Sequence, residues 1–297
     1  MLGYVCKYTP MELFEAMDTE ITRLEPSVTD FNHADTLMHA NICSYTKAVL
    51  EDVMEHDYEG VILTTCCDSI RRLYDTLKSQ FPDKFFFLLD IPRKFNDFAV
   101  ALYERQLKQM LTEYEAFSGK TLDLKRFVSM MQNKAALKKQ ENTRMSASAA
   151  SGKGNGQKLN IGIMGARCNN EIRQLLVDRG ANLLFDLTCT GLARDFSITE
   201  DQVLHSYAAA LLNQIPCMRM LKAANREHFL DGFTDRLDGI IYHTVKFCDS
   251  YSYEYADFRQ RLDLPILLVE TDSTRQCAGQ VRTRVEAFME ELKVKKD

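Results

Sequence analysis

The sequence predicts an α/β protein built from two doubly wound parallel-sheet domains of the Rossmann or flavodoxin-like kind. Short apolar runs of strand length alternate with segments of helical periodicity, which is the pattern of βαβ units. The length of 297 residues is more than one average domain needs. A small, glycine-rich stretch at Ser146–Gln157 interrupts the alternation and has the composition of a flexible linker. We therefore place one domain at residues 1–145 and the other at residues 158–297.

The first domain shows its clearest strand at Gly60–Thr65, a continuous β-branched run typical of a strand buried on both faces. The pair Cys66-Cys67 follows, and the helical spacing of IRRLYDTLKSQF comes next, with Asp68 or Ser69 placed to cap the first turn. The pair therefore lies between a strand and a helix N-terminus. The other predicted elements of this domain are a strand at Phe85–Leu89 and helices at about Pro92–Phe117 and Leu122–Lys139.

The second domain repeats the alternation. Its predicted elements are a strand at Leu159–Met164, a helix at Asn170–Asp178, and strands at Ala181–Phe185, Asp238–Tyr242 and Leu264–Val269. In open α/β sheets, ligands bind outside the carboxyl ends of the strands, at the topological switch point. Cysteines follow predicted strands at three places, Cys66-Cys67, Cys189 and Cys248. We therefore expect a shared site in a cleft between the two domains.

Composition and charge exclude several classes of protein. The formal net charge of -5 is spread along the chain without a basic stripe, so nucleic acid is not an expected partner. The longest apolar run, Phe85–Leu89, is far short of the roughly 20 residues that cross a bilayer. The N-terminus lacks the features of a secretory signal, so we expect a cytoplasmic protein. No phosphate-binding loop is present, and GIMGAR matches that pattern too poorly to predict an ATP site.

Nine cysteines indicate chemistry, since a cytosolic chain of this length does not need disulfides for stability. Structural zinc fits poorly, because the chain has no C-x2-C pair. An iron–sulfur cluster fits better, because its thiolate ligands need not be close in sequence and three of them leave one iron open. The alternative is that a cysteine packs as a small buried apolar residue, and Cys168 and Cys277 suit that alternative best.

Five segments carry motifs in a fixed order along the chain. They are GYVCKYTPMEL, TTCCDSIRRLYD, DLTCTGLARDF, GIIYHTVKFCDSYSYEYADF and LPILLVETDSTRQCAGQVRTRVEAFMEEL. Together they resemble the 2-hydroxyacyl-CoA dehydratase family, which also includes benzoyl-CoA reductase subunits and double-cubane cluster proteins. The resemblance covers nearly the whole chain.

This resemblance implies a homodimer or heterodimer whose subunits each carry a [4Fe-4S] cluster held by three cysteines. A small ATP-dependent iron–sulfur activator protein would reduce that cluster. The implied substrate is an (R)-2-hydroxyacyl-CoA thioester, from which water is eliminated through a ketyl radical while the open iron binds the substrate oxygen. The chain would then be one subunit of a lyase in an anaerobic cytoplasm. Its cluster would lie in the cleft between the domains.

Matched motif by motif, the family's cluster ligands correspond to Cys6, Cys67 and Cys248. Cys67 is preferred to Cys66 because it directly precedes Asp68, as the cysteine of the family motif does. Candidates of second choice are Cys66, Cys43 and Cys189, with Cys217 as a further member. Several such ligands would imply a double-cubane [8Fe-9S] cluster and a low-potential reductase of the double-cubane or benzoyl-CoA type. The third alternative is a non-catalytic cluster-binding subunit beside a catalytic sister chain.

Other candidate residues follow from their places in these motifs. We consider Thr65 and Ser69 as hydrogen-bonding partners of cluster sulfurs or of the thioester carbonyl. We consider His243 as a proton carrier. The last helix opens with Gly279, Gln280 and Arg282, which we consider as binding residues for a CoA phosphate. Each also has a structural alternative as a strand end, a helix cap or a solvated side chain. The stretch Ile21–Asn41 is abbreviated compared with the family, which would reshape the acyl-CoA entrance.

Overall fold

The computed structural model describes residues 1–136, 158–168, 170–190, 198–215, 217–220 and 229–296. Two sheets of four parallel strands each form the centres of two halves, so the predicted parallel α/β architecture is confirmed. The linker predicted at Ser146–Gln157 lies outside the described residues, and the domain boundary placed there stays a prediction.

The first half comprises residues 1–136, with its strands in the spatial order β2-β1-β3-β4. These strands are β1 (Leu2–Tyr4), β2 (Ile21–Arg23), β3 (Gly60–Thr64) and β4 (Phe85–Leu89). Its helices are α1 (Met11–Ala16), α2 (Asn32–Leu37), α3 (Ser44–Glu55), α4 (Asp68–Gln80), α5 (Asp97–Ser118) and α6, which includes residues 124–136. The apolar runs correctly predicted β3 and β4. The strands β1 and β2 were missed, because three residues are too few to show a periodicity.

The second half has the equivalent strand order, β6-β5-β7-β8. Its strands are β5 (Asn160–Gly165), β6 (Asn182–Thr188), β7 (Gly239–Val245) and β8 (Ile266–Thr271), all four of which the sequence predicted to within a few residues. Its helices are α7 (Asn170–Asp178), α8 (Val203–Leu212), α9 at residues 229–231, α10 (Asp249–Arg261) and α11 (Ala278–Lys296). None of the described helices is long and apolar enough to cross a membrane.

The central strands of both sheets are covered on both faces. Every residue of β3 and of β7 is buried, which explains why these segments read as apolar runs instead of alternating patterns. Gly60 opens β3 because the neighbouring strand leaves no space for a side chain. A Cβ atom there would lie 1.9 Å from the carbonyl oxygen of Phe85.

Helix α4 begins one residue earlier than its sequence pattern predicts. The extended backbone that precedes the helix falls on Cys67, so Cys67 is the N-cap residue and Asp68 is the first helical residue. The prediction that Asp68 or Ser69 caps this helix was therefore wrong. The carboxylate of Asp68 still lies in the first turn, where the helix dipole favours negative charge.

Helix α8 joins the two halves. It comes from the second half of the chain, yet Tyr207 and Leu211 are buried in the same core cluster as Leu107 of α5 and Phe127 of α6. The rings of Phe127 and Tyr207 meet edge to face, with their centroids 5.1 Å apart. Separating the halves would expose this core to water, so their relative position is fixed by packing.

Candidate functional site

Both sheets have their topological switch point between their two central strands. In the first sheet the chain goes from β1 outward to β2 and later to β3 on the other side of β1, and β5, β6 and β7 repeat this arrangement. Cys6 and the pair Cys66-Cys67 follow the carboxyl ends of β1 and β3, while Arg167 and Cys248 follow those of β5 and β7. Crevices at such points bind ligands, and here two of them face a common space.

A cavity of about 110 Å³ occupies this space between the two halves. Of the eight cysteines whose side chains the structure describes, seven line this cysteine cavity: Cys6, Cys43, Cys66, Cys67, Cys189, Cys217 and Cys248. Cys168 does not line it, and the side chain of Cys277 is outside the described part of the structure. The structure thus brings together all the cysteines named as first-choice or second-choice ligands, and Cys217 with them. Their binding of a metal remains a prediction.

Three of these cysteines are the N-cap residues of helices. Cys43 precedes α3, Cys67 precedes α4 and Cys248 precedes α10. The N-terminus of a helix carries unpaired N–H groups and a positive partial charge, which favour a thiolate over a thiol. Three helix N-termini therefore support negative charge on sulfur at one cavity.

Burial acts in the opposite direction on most of the thiols. It raises the pKa of Cys6 to about 11 and the pKa values of Cys189 and Cys248 to about 12. Cys67 is different, because a hydrogen bond from the neighbouring Cys66 thiol lowers its pKa and raises that of Cys66. Cys67 is thus the readier of the adjacent pair to act as a thiolate, and binding of a metal cation would displace the protons of the other thiols.

Three cationic side chains also line the cysteine cavity: Lys7, Arg167 and Arg219. Arg167 lies against Tyr45, with its Cζ atom 4.0 Å from the ring centroid, and Arg219 donates a hydrogen bond to the carbonyl oxygen of Thr65 at 3.0 Å. Positive charges in a poorly hydrated space reduce the free-energy cost of gathering thiolates there. Sequence reasoning missed all three, although Arg167 comes three residues after a predicted strand and Arg219 lies two residues after Cys217.

The loop that carries Cys248 is held by the first half. The carbonyl oxygen of Lys246 accepts a hydrogen bond from the backbone N–H of Ser44 at 3.1 Å, which ties this loop to the start of α3. The next residue, Phe247, has a φ of 64°, an uncommon conformation for a bulky residue. Such strain persists where the surrounding contacts enforce it, and here those contacts bring Cys248 to the same cavity as Cys43.

The spatial arrangement of the thiols decides whether the cavity suits a single metal ion or a cluster. Within the described ranges, no three His, Cys, Asp or Glu side chains are grouped closely enough to hold one metal ion. In a cluster each thiolate binds a different iron, so thiols distributed around a cavity suit a cluster better than a single ion. Seven thiols with three cations thus fit an anionic iron–sulfur group.

The other predicted site residues lie outside the cysteine cavity. Thr65 donates a hydrogen bond to Asp90 at 2.7 Å, and Ser69 lies in the first turn of α4. His243 is 2% exposed and lines a second cavity, where burial lowers its pKa to about 4. The residues considered for CoA binding are at a separate surface cavity beside Glu171: Gly279, Arg282 and, in the same exposed turn, Gln280. The catalytic and substrate-binding roles of these residues stay predictions.

Comparison with known proteins confirms the family resemblance. The family model of 2-hydroxyglutaryl-CoA dehydratase, D-component, matches residues 6–151 and 128–292. The chain is also similar to the (R)-phenyllactyl-CoA dehydratase beta subunit of Clostridium sporogenes, with 23% identity over 347 residues. That alignment covers 98% of this chain and 91% of the relative. The chain therefore belongs to the 2-hydroxyglutaryl-CoA dehydratase D-component family.

Proposed function

We propose that the chain is the iron–sulfur subunit of a 2-hydroxyacyl-CoA dehydratase, which eliminates water from an (R)-2-hydroxyacyl-CoA. The observation that carries this proposal is the cavity lined by seven cysteines at the switch points of both sheets. Membership of a dehydratase family supports the reaction class, because the family is described by the dehydration of a 2-hydroxyacyl-CoA. The cysteine cavity supplies the thiols that an iron–sulfur cluster needs.

The proposed ligands are Cys6, Cys67 and Cys248. They follow three different central strands, β1, β3 and β7, so they reach the cavity from both halves. The lowered pKa of Cys67 supports its choice over Cys66. When bound, a [4Fe-4S] cluster with one open iron supplies a low-potential electron and a binding place for the substrate oxygen.

The chain's own side chains would hold and protect this group. Arg167 and Arg219 place positive charge beside the thiolates, and the Tyr251 hydroxyl lies 2.8 Å from the sulfur of Cys189. The packing of α8 into the first half keeps the two walls of the cavity together. Walls that are held together exclude water from the cavity, and this protects a radical during the reaction.

The proposal includes partners. The relative from Clostridium sporogenes is named as a beta subunit, which favours a sister subunit beside this chain over a homodimer. A separate ATP-dependent iron–sulfur activator protein would deliver the electron, and an acyl-CoA would be the substrate. We place the complex in an anaerobic cytoplasm.

A second candidate function is a low-potential reductase with a double-cubane [8Fe-9S] cluster. One observation favours it specifically, namely that seven thiols share one cavity when three would hold a cubane with an open iron. Cys43, Cys66, Cys189 and Cys217 would then be ligands as well.

Iron and acid-labile sulfide per chain, measured on protein purified without oxygen, separate these candidates. About four irons support the dehydratase and about eight support the double-cubane reductase, because a cubane holds four. Cys6→Ala, Cys67→Ala and Cys248→Ala should each lower the iron content, while Cys168→Ala should not, since Cys168 lies outside the cavity. Protein with about four irons would then be assayed with its activator and a series of (R)-2-hydroxyacyl-CoA thioesters. A lack of iron in anaerobic protein would contradict both candidates.

A further inference from the structure

A second cavity of about 70 Å³ adjoins the cysteine cavity. The two share Tyr45, Arg167 and Val245 in their walls. Six of the other residues in the wall of the second cavity carry polar side chains: Glu25, Ser27, His243, Thr271, Ser273 and Thr274. We call it the polar chamber.

The polar chamber is built where the two halves meet. The first half contributes the segment after β2, and the second half contributes residues at the ends of β7 and β8. Backbone hydrogen bonds join the two segments, from Val28 N–H to the Ser273 carbonyl at 3.1 Å and from Arg275 N–H to the Val28 carbonyl at 3.0 Å. Ser273 has a φ of 63°, so the turn that presents its hydroxyl is held in an uncommon conformation. These contacts hold the walls in place.

The polar atoms of the chamber favour a small polar occupant. The Nε2 atom of His243 lies 3.0 Å from the Thr271 hydroxyl, whereas its buried Nδ1 atom has no hydrogen-bond partner among the described residues. Buried polar groups usually find partners, and a polar cavity of this volume holds water. The carboxylate of Glu25 is ion-paired with Arg23, so its negative charge is partly compensated within the first half.

Arg167 lies at the boundary between the two cavities. A guanidinium group remains charged in proteins, and this one stacks on Tyr45 and donates from Nη1 to the carbonyl oxygen of Leu24 at 3.2 Å. No carboxylate of the described residues forms an ion pair with it. Arg167 is half-buried, and Glu25 in the same wall is ion-paired with Arg23 instead of with Arg167. A cation that forms no direct ion pair is suited to an anionic oxygen that arrives with a ligand.

We propose that the polar chamber receives the oxygen that leaves the substrate, and that Arg167 is a catalytic residue that binds this oxygen at the boundary. The inference rests on the proposed dehydration. The C2–O bond breaks with its electron pair on oxygen, which gives hydroxide. The C3–H bond releases its proton, which converts hydroxide to water, and its electron pair becomes the C2=C3 double bond of the product. The step needs no further reactant. Arg167 stabilises the negative charge as it develops, and the chamber removes the product water from the cysteine cavity.

Bromide tests the anion site without any catalytic turnover. Crystals of the wild-type complex soaked in bromide should show an anomalous peak beside Arg167, and crystals of the Arg167→Gln complex should not. Arg284→Gln is the matched control, since Arg284 also donates to a backbone carbonyl, that of Leu268 at 2.8 Å, but does not line the chamber. A wild-type map without bromide at Arg167 would overturn the proposal.

Kinetics test the catalytic role. Arg167→Gln should lower kcat, expressed per bound iron, about 100-fold, as the loss of one charge-stabilising donor does. Arg167→Lys should recover part of kcat, and Arg284→Gln should match the wild type. If Arg167→Gln does not fold, as judged by circular dichroism, Arg167→Lys and the wild-type bromide map decide. A kcat within threefold of the wild type at full iron content would refute the role of Arg167. Wild-type complex that contains iron but dehydrates no 2-hydroxyacyl-CoA would instead refute the proposed function.

Discussion

Helices α4 and α5 begin with nearly the same backbone geometry but with different residues. The N-cap residue of α4 is Cys67, with φ -161° and ψ 169°, and that of α5 is Asn96, with φ -161° and ψ 172°. The Asn96 side chain accepts a hydrogen bond from the backbone N–H of Ala99 at 2.9 Å. Cys67 offers a sulfur atom instead of an oxygen acceptor, and its pKa is lowered by the hydrogen bond from Cys66 and, less strongly, by the backbone N–H of Ile70 in the first turn of α4. The two helix starts thus differ in side-chain chemistry and hardly in conformation.

This difference separates positions that stabilise the fold from positions that serve the cavity. Asparagine is among the best N-cap residues, and cysteine is not one of the preferred types. Cys43 and Cys248 repeat the pattern at α3 and α10, where a thiol again occupies the N-cap position in place of an oxygen acceptor. All three cysteine caps line the cysteine cavity, and Asn96 does not. The weaker caps therefore lie where thiols are useful.

The largest expected effect comes from giving α4 the cap of α5. Cys67→Asn removes the thiol with the lowered pKa, and we expect it to abolish cluster binding, measured as iron per chain after anaerobic purification. Asn96→Ala, which changes the N-cap residue of α5 instead, is the control and should leave the iron content unchanged. Cys66→Asn distinguishes the adjacent thiols. Wild-type iron in Cys67→Asn together with loss of iron in Cys66→Asn would assign the ligand to Cys66.

The next expected effect depends on pH and comes from His243. This histidine lies near the cysteine cavity, and its burial disfavours the protonated imidazole. Burial lowers its pKa from 6.5 to about 4, so the folded state binds the proton more weakly than the unfolded state does. The stability that this group contributes is therefore fully present above about pH 6.5 and is lost as the pH falls towards 4. His243→Gln should flatten the acid limb of the free energy of unfolding by up to ~3 kcal/mol.

Urea unfolding of iron-free protein between pH 4 and 7.5 measures this effect. His39→Gln, which replaces an exposed histidine by the same residue, is the control for the substitution itself. An acid limb equally steep in His243→Gln and in the wild type would show that His243 does not govern it.

Much of the site could be predicted from sequence, because the rule on which it depends is local. A cysteine that follows a buried apolar run lies at the carboxyl end of a parallel strand, and this placed Cys67 and Cys248 at a common cleft between the two domains. The fold was predictable for the same reason, since β3 and β7 are fully buried and continuously apolar. The short β1 was missed, and Cys6 was assigned from the family resemblance alone.

The parts that escaped prediction depend on contacts between the halves. Arg167 gains its position from Tyr45 and Leu24, which are far from it in sequence. The Cys248 loop is tied to Ser44 by a hydrogen bond across about two hundred residues. No periodicity or motif encodes such a pairing, because each partner looks like an ordinary loop residue by itself. The polar chamber could be found only once both halves were in place.

Removing the cap of α5 should have a smaller effect, confined to stability. Asn96→Ala deletes the side-chain acceptor for the Ala99 N–H and should lower the free energy of unfolding by about 1 kcal/mol. Chemical denaturation of iron-free protein measures it. Asn96→Asp keeps an acceptor and should restore most of the loss. A wild-type free energy of unfolding in Asn96→Ala would show that this cap contributes little, and the contrast with Cys67 would lose its energetic meaning.

The smallest effect is the most specific to the comparison, because one substitution should change binding and stability in opposite directions. In iron-free protein, Cys67→Asn places an amide oxygen at a backbone geometry that nearly equals that of Asn96, so it should accept a hydrogen bond from the first turn of α4. We expect the free energy of unfolding to rise by about 0.5 kcal/mol. Cys168→Asn is the control, since Cys168 is fully buried and an amide placed there should destabilise the protein. If Cys67→Asn destabilises iron-free protein as Cys168→Asn does, then Cys67 is retained for packing, and the weak cap is no sign of function.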